Sequence, residues 1–575
     1  MSLKYVADFE TTSDPNDCRV WAWGVVEIDD PDRFTHGQDQ ESFMEWCREK
    51  AKSKNDNPTI YFHNLAFDGE FLIFHLLTKM GFTYDHENTK QDNTFNVLIS
   101  RMNEFYQIEV IFKKKNKKYE KVTFLDSLKK LNFSVAEIAK AFKFPFIKLE
   151  IDHKKNRPVG YQATKEELSY LHHDCKIVAS ALKIQFEQDL TKMTTSGDAL
   201  HQYKKSITKK KFDVHFPVIP LESDIGIKNK TVGIREAYKG GYVYVNPKYK
   251  NKKIGKGLIY DVNALYPSVM KYRPLPYGMP VYFEGKYQPD EQYPLYVQYI
   301  LCCFDLKKNK LPTIQIKKDM RFVSTQYVES TDFETVELML TNIDLELLLE
   351  HYDIHYIEYV SGYKFKSATG LFDSYIDHWN SVKETHAEEK GALYSIAKLL
   401  LNGLYGKFGS NPDVTGKYPV LENGKVVYKK KEQEFRDGIY IPMSTFITSW
   451  ARWITITSAQ KNYSRFIYAD TDSLHLAGHE PANGLEVHKT KLGFWDLETV
   501  YDDAFYIRAK SYTYEVKDKG LTVKCAGLPD SLKKLVTLEN FREGLRLEGK
   551  LQKKRVSGGV VLGETWFEIH REVEL

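Results

Sequence analysis

The chain has 575 residues, 28% charged and 14% aromatic, with a formal net charge of +4. That length suggests about four structural units. No apolar run reaches the roughly eighteen residues of a membrane span, the opening residues do not read as a secretory signal, and six cysteines without paired spacing fit reduced thiols rather than zinc or a disulfide framework.

In chain order, Val6–Thr12 reads as a strand on which Asp8 and Glu10, two residues apart, share one face. Phe62–Gly69 brings Asp68 to a strand-to-helix transition. Tyr170 and Asp174, four apart, share one face of a helix. Four acids from three segments suit two divalent cations that activate water against a phosphodiester. Ile259–Pro267 (IYDVNALYP) is a short apolar strand that delivers Asp261, with a turn and helix start at Asn263 and Pro267. Arg273–Pro280 reads as a Pro/Gly-rich turn run, and Asp344–Tyr352 as a helix.

Gly391–Gly406 has helical apolar spacing, and Lys398, Asn402 and Tyr405 share a face beside that stripe. A lysine on a rigid helix is a point charge for a triphosphate. Tyr418–Tyr428 is two strand-forming runs around Asn423-Gly424, which predicts a hairpin with a type I′ turn. Tyr468–Ser473 (YADTDS) sets Asp470 and Asp472 at the tight turn of a further hairpin. Carboxylates so crowded call for hard cations, Mg²⁺ or Mn²⁺. Lysine runs at 113–118, 209–211, 250–253 and 429–431, with the basic 553–555, suit a nucleic-acid backbone, and the aromatic content suits stacking on bases.

DVNALYP, KLLLNGLYG and YADTDS, in that order, resemble motifs A, B and C of family B DNA polymerases. The amino-terminal acids resemble the three exonuclease motifs of proofreading 3′–5′ exonucleases. With Tyr238-Lys239-Gly240-Gly241 between the two sets and inserts on either side of motif B, the chain resembles, end to end, the protein-primed DNA polymerases of small Bacillus-type phages (the phi-twenty-nine type), as a divergent member.

The resemblance implies an α/β and α+β multidomain fold, a ribonuclease-H-like 3′–5′ exonuclease followed by a right-hand polymerase. The expected units are exonuclease 1–194, palm 195–272, a first terminal-protein insert 273–370, fingers 371–409, a second such insert 410–441, palm 442–527 and thumb 528–575. It implies metal ligation by Asp261, Val262, Asp470 and Asp472 in one site and by Asp8, Glu10, Asp68 and Asp174 in the other, where Tyr170 orients the attacking water. Nucleotide contacts fall to Tyr266, Lys383, Lys398, Asn402 and Tyr405, with Tyr266 excluding a 2′-hydroxyl. DNA contacts fall to Thr11, His63, Asn64, Phe67, Ser127, Leu128, Lys148, Tyr238, Lys239, Gly240, Gly241, Lys510 and Tyr512.

Two Mg²⁺ per site, dNTPs, primer-template and single-stranded DNA, and a phage terminal protein are the implied cofactor and partners, for a monomer in the cytoplasm of an infected bacterium with no membrane association. Departures from the family pattern are Lys239 for arginine, Ala264 and Gly403 for serine, Tyr394 for lysine and His153 for tyrosine. Rival readings are a polymerase–exonuclease that starts without a protein primer, and a DNA-binding exonuclease with an inactive polymerase region.

Overall fold

The computed structural model describes residues 3–52, 57–115, 118–226, 232–316 and 326–571, so the basic run 113–118 lies partly outside the described residues. In the amino-terminal unit, strand Lys4–Thr11 is antiparallel to Val20–Glu27 on one side and parallel to Thr59–Phe62 on the other; the latter is parallel in turn to Lys118–Asp126. Val20–Glu27 is buried at all but its last position, as a strand covered on both faces must be. Helix Lys165–Glu187 lies against it, and its start is set by a capping box in which Thr164 and Glu167 satisfy each other's backbone N–H groups. This antiparallel-then-parallel order matches the expected ribonuclease-H-like domain.

The same sheet continues through Phe105–Lys115 and Thr94–Ser100 into the hairpin of the second insert, Gly416–Glu422 and Lys425–Lys430. Asn423 and Gly424 have φ of 50° and 72°, the two left-handed residues that a type I′ turn requires. The hairpin does not stand free: Gly416 pairs with Ser100 and Lys417 with Ile99, and Val426 is buried in the exonuclease-side core. A two-stranded arm is marginal by itself, and sheet extension supplies its support.

A second sheet has the order Trp495–Tyr501, Gly257–Val262, Ser473–Ala477, Phe466–Asp470, Val243–Val245. Helix Ile441–Lys461 packs behind it and is buried along most of its length. The run Arg273–Pro280 is a correction: Leu275–Glu284 is a strand, not a turn series. Its prolines are tolerated because it is the edge strand of a four-stranded sheet and its register breaks between Tyr277 and Val281. The helix expected at Asp344–Tyr352 is Asn342–His351. Helix Ala392–Phe408 packs on Asp373–Thr385 and on Thr195–Ile207. The carboxyl-terminal hairpin is Arg546–Val556 with Gly559–Glu568. No helix among the described residues is long and apolar enough to cross a membrane.

Candidate active sites

The first site gathers at the end of the second sheet. Asp261 pairs with Ser473 on one side and Asp496 on the other, so motif A lies beside motif C in register. The turn between Asp470 and Asp472 is held by Thr471 at φ 60°, whose N–H donates to the Tyr242 carbonyl at 2.7 Å. The Val262 N–H donates to the Asp472 carbonyl at 2.8 Å, closing the corner. Gly241 packs against that turn, where an added Cβ would lie 2.5 Å from Thr471 Oγ1; only glycine fits. The helix expected to start between Asn263 and Pro267 is Leu265–Tyr272. Ala264 takes the left-handed cap position at φ 52°, and the Asn263 amide donates to the carbonyls of His488 and Phe494.

Burial, then Asp472 and Glu498, push the Asp261 carboxyl up from 3.8 to about 7. Burial likewise raises Asp472. Asp470 is held differently: Lys510 Nζ reaches both its oxygens at 3.0 and 2.9 Å, and the Tyr468 hydroxyl donates at 3.1 Å. Lys510, expected on the primer strand, thus rests on a catalytic-site acid. Tyr512 packs beneath, against Tyr468 and Tyr506.

Tyr266 and Tyr405 stack with ring centres 3.9 Å apart, which joins motif A to motif B. Lys398 and Asn402 are exposed on that helix, and Lys398 faces both Asp261 and Lys383.

Tyr238 is half-buried under the end of the motif B helix, where it crowds Gly409. Lys239 is buried, and its ammonium donates to the Gln315 carbonyl at 2.9 Å in the first insert. Gly240 has open space where a Cβ would stand. The linker backbone is set by residues that the motifs did not reveal. Buried Arg452 donates to the carbonyls of Lys239 and Gly240 at 2.9 and 2.8 Å, and pairs with buried Asp344 through Nε at 3.1 Å and Nη2 at 2.6 Å. The available signal was a lone arginine inside an otherwise apolar and hydroxyl-bearing helix. Asp496 and Glu498 were missed as well; their alternation on one strand was the only cue.

The second site lines a cavity of about 570 Å³ in the amino-terminal unit. Its walls hold Asp8, Glu10, Asp68, Tyr170 and Asp174 together with Thr11, His63, Asn64, Phe67, Lys148 and His153. Glu10, Asp68 and Asp174 are buried. Burial and the neighbouring Asp174 push Asp8 up from 3.8 to about 7, and burial with the neighbouring acids raises Glu10 and Asp68. Burial also raises Asp174, against the pull of Lys148, whose ammonium contacts it and donates to the Tyr170 hydroxyl at 3.1 Å.

Ser127 and Leu128 are not in this wall. Ser127 is wholly buried and donates to the Phe62 carbonyl at 3.1 Å. His63 is tied inward too, with Nε2 2.7 Å from the Phe133 carbonyl and Nδ1 3.0 Å from Ser127 Oγ. Ser127 thus braces the loop, while His63, tethered at both ring nitrogens, still lines the cavity. Asp126 accepts from the N–H groups of Asn64 and Leu128 at 3.0 Å each and so organises this loop.

Among the described residues, buried Asp68 Oδ1 and Asp174 Oδ1 lack any hydrogen-bond partner, an arrangement costly for a protein and natural for an oxygen that meets a cation. Among the described residues no three His, Cys, Asp or Glu side chains form a ready-made ligand set around one point. All-oxygen donors, mutual repulsion and orphaned carboxylate atoms nevertheless fit divalent cations that complete their shells on a phosphate.

The sequence model for DNA polymerase type B, organellar and viral, matches residues 49–490. The DNA polymerase of Bacillus phage M2 is 45% identical over 99% of this chain and 100% of its own length, and that of Bacillus phage phi29 is 44% identical over 98% of each. The DNA polymerase of Streptococcus phage Cp-1 is 34% identical over 99% of both. Phi29 DNA polymerase solved with primer-template DNA superposes with a TM-score of 0.92 at 44% identity over 99% of this chain and 100% of that one. The same enzyme with single-stranded DNA gives 0.91, over the same shares of both chains. The chain belongs to the type B DNA polymerases of organelles and viruses, within the phi29-like group of phage enzymes, and is a DNA polymerase.

Proposed function

We propose that this DNA polymerase replicates a linear phage genome from a terminal-protein primer, proofreads with its own 3′–5′ exonuclease and displaces the strand ahead. The observation that carries the two-activity reading is the pair of separate acid clusters, one ending the palm sheet and one walling the amino-terminal cavity. Substrates follow from the relatives, whose solved complexes hold primer-template DNA, incoming nucleotide and single-stranded DNA. The units are those expected above, with the second insert attached to the exonuclease sheet. The setting is the cytoplasm of the infected bacterium.

Asp261, Asp470 and Asp472 would hold Mg²⁺ in the polymerase site, and Asp8, Glu10, Asp68 and Asp174 in the exonuclease site. Bound there, such ions would supply charge neutralisation at the phosphate and, in the exonuclease, an activated water. Lys398 and Lys383 attract the triphosphate, and the Tyr266–Tyr405 stack forms a floor beneath the sugar and the nascent pair. With Asp470 holding a cation, Lys510, which rests on that carboxylate in this structure, would be free to reach the primer strand. In the other site Lys148 holds the Tyr170 hydroxyl where it orients the attacking water.

Asp261→Ala or Asp470→Ala abolishes primer extension and leaves degradation of single strands; Asp8→Ala with Glu10→Ala does the reverse. Loss of both activities in either folded variant defeats the assignment. Protein priming is tested with labelled dATP and the phage's terminal protein: a protein–dAMP adduct is expected, and its absence under conditions that support primer extension favours initiation without a protein primer.

A further inference from the structure

The exonuclease cavity is not closed by its own domain. One face of the carboxyl-terminal hairpin forms part of its wall, through Leu551, Lys553, Leu562 and Glu564. That contact is built in. Val556, Val560 and Val561 are buried in the same core as the exonuclease strands. At the hairpin tip Gly558 lies so close to the Cys18 carbonyl that a Cβ would stand 1.9 Å from it, and Gly559 lies against the Phe71 ring. Arg555, two residues from Lys553 and on the same strand face, donates through Nε to buried Glu70 at 2.9 Å. Tyr428 of the second insert donates to the other oxygen of Glu70 at 2.9 Å, and its ring lies beneath the Arg555 guanidinium at 4.8 Å. On the other side of Lys553, Glu564 is paired with Lys154 at 2.9 Å.

Lys553 stands between these two anchored positions and makes no hydrogen bond or ion pair of its own among the described residues. Its ammonium lies 5.8 Å from the centre of the Phe67 ring in the cavity wall. Desolvation there lowers its pKa, while Asp68, Glu70 and Asp126 pull the other way. A cation so held, with both neighbours committed elsewhere, has room for an anionic partner that arrives from the cavity.

We infer that Lys553, carried on the thumb hairpin and fixed by the Arg555–Glu70–Tyr428 joint, is a substrate-binding residue of the exonuclease site that contacts a phosphate of the 3′-terminal single strand. The inference rests on the exonuclease reading of this cavity. It makes the exonuclease site a composite of two domains, so a strand end entering the cavity is gripped by the thumb as well as by the exonuclease acids.

The test uses the full chain and a labelled single-stranded oligonucleotide. For Lys553→Met, KM for degradation should rise about fivefold with kcat little changed, and the dependence of log kcat/KM on log salt should become shallower by about 0.7, the loss of one single-strand phosphate contact. Lys553→Arg should restore both, and an unchanged melting temperature certifies the fold of each variant. An unchanged KM and salt slope overturns the proposal. So does an effect confined to the Mg²⁺ concentration required, because a lysine that merely offsets the charge of Asp68 would move that quantity instead. Failure of the underlying reading looks different: degradation by the parent chain would survive Asp8→Ala with Glu10→Ala.

Discussion

Asp8 and Asp261 face the same problem in two different sheets: each carboxyl is held near about 7 by burial and by other acids. A carboxyl whose folded pKa exceeds its unfolded value binds more protons when folded, so stability falls as pH rises from 3.8 toward 7. Cations bind the deprotonated form and relieve the repulsion. The metal-free enzyme should therefore lose melting temperature between about pH 4 and about pH 7, and the increment from added Mg²⁺ should grow over that range. A Mg²⁺ increment that stays flat, or shrinks with pH, would contradict this. Asp344 is the opposite case, since Arg452 beside it holds its carboxyl below the usual range. Removing one member of such a buried pair leaves an uncompensated charge, typically a loss of about 3–5 kcal/mol.

At the scale of elements, the motif B helix carries a glycine that its packing does not require. A Cβ on Gly403 would stand 3.6 Å from Thr195 Cγ2 and 3.7 Å from Ser196 Cα, ordinary contact distances. Gly403→Ala should accordingly stabilise the chain by up to about 1 kcal/mol, read as a shift in the denaturation midpoint. Destabilisation by that change would mean the helix needs its local looseness. Gly241 differs in kind, since the Thr471 side chain occupies the space a Cβ needs. The elements themselves were legible where local chemistry decides them: the Asn423-Gly424 turn and the tight turn after Asp470. The strand at Leu275–Glu284 was not, because its prolines are excusable only at a sheet edge, and edge position is not a local property.

At the scale of the molecule, the second insert, the thumb and the exonuclease domain converge on one buried carboxylate, Glu70. The arm is thereby braced on the exonuclease side, and the strand-displacement reading proposed above assigns it to the strand ahead of the primer. Replacing residues 412–438 with a short Gly/Ser linker should leave gap filling on a primed single strand nearly intact while shortening products and halting synthesis at a downstream duplex. Since Val426 is buried in the exonuclease-side core, the same deletion should also lower the melting temperature. Undiminished synthesis through several hundred base pairs of duplex would refute the displacement role.

The amino-acid sequence by itself determined where the candidate residues stand: all seven acids, the helix lysine Lys398 and the tyrosines Tyr266 and Tyr405 sit in short motifs whose spacing places each on a strand end or helix face. Tertiary structure alone decided which surfaces these motifs meet. Lys239 turns inward to Gln315, Arg452 reaches across 108 positions to Asp344, and Arg555 reaches across 485 positions to Glu70. Hydrogen-bonding periodicity in strands and helices is written over a few residues, so it can be read from the chain. A buried charge takes its partner from whichever element packing brings alongside, and that choice leaves no local trace.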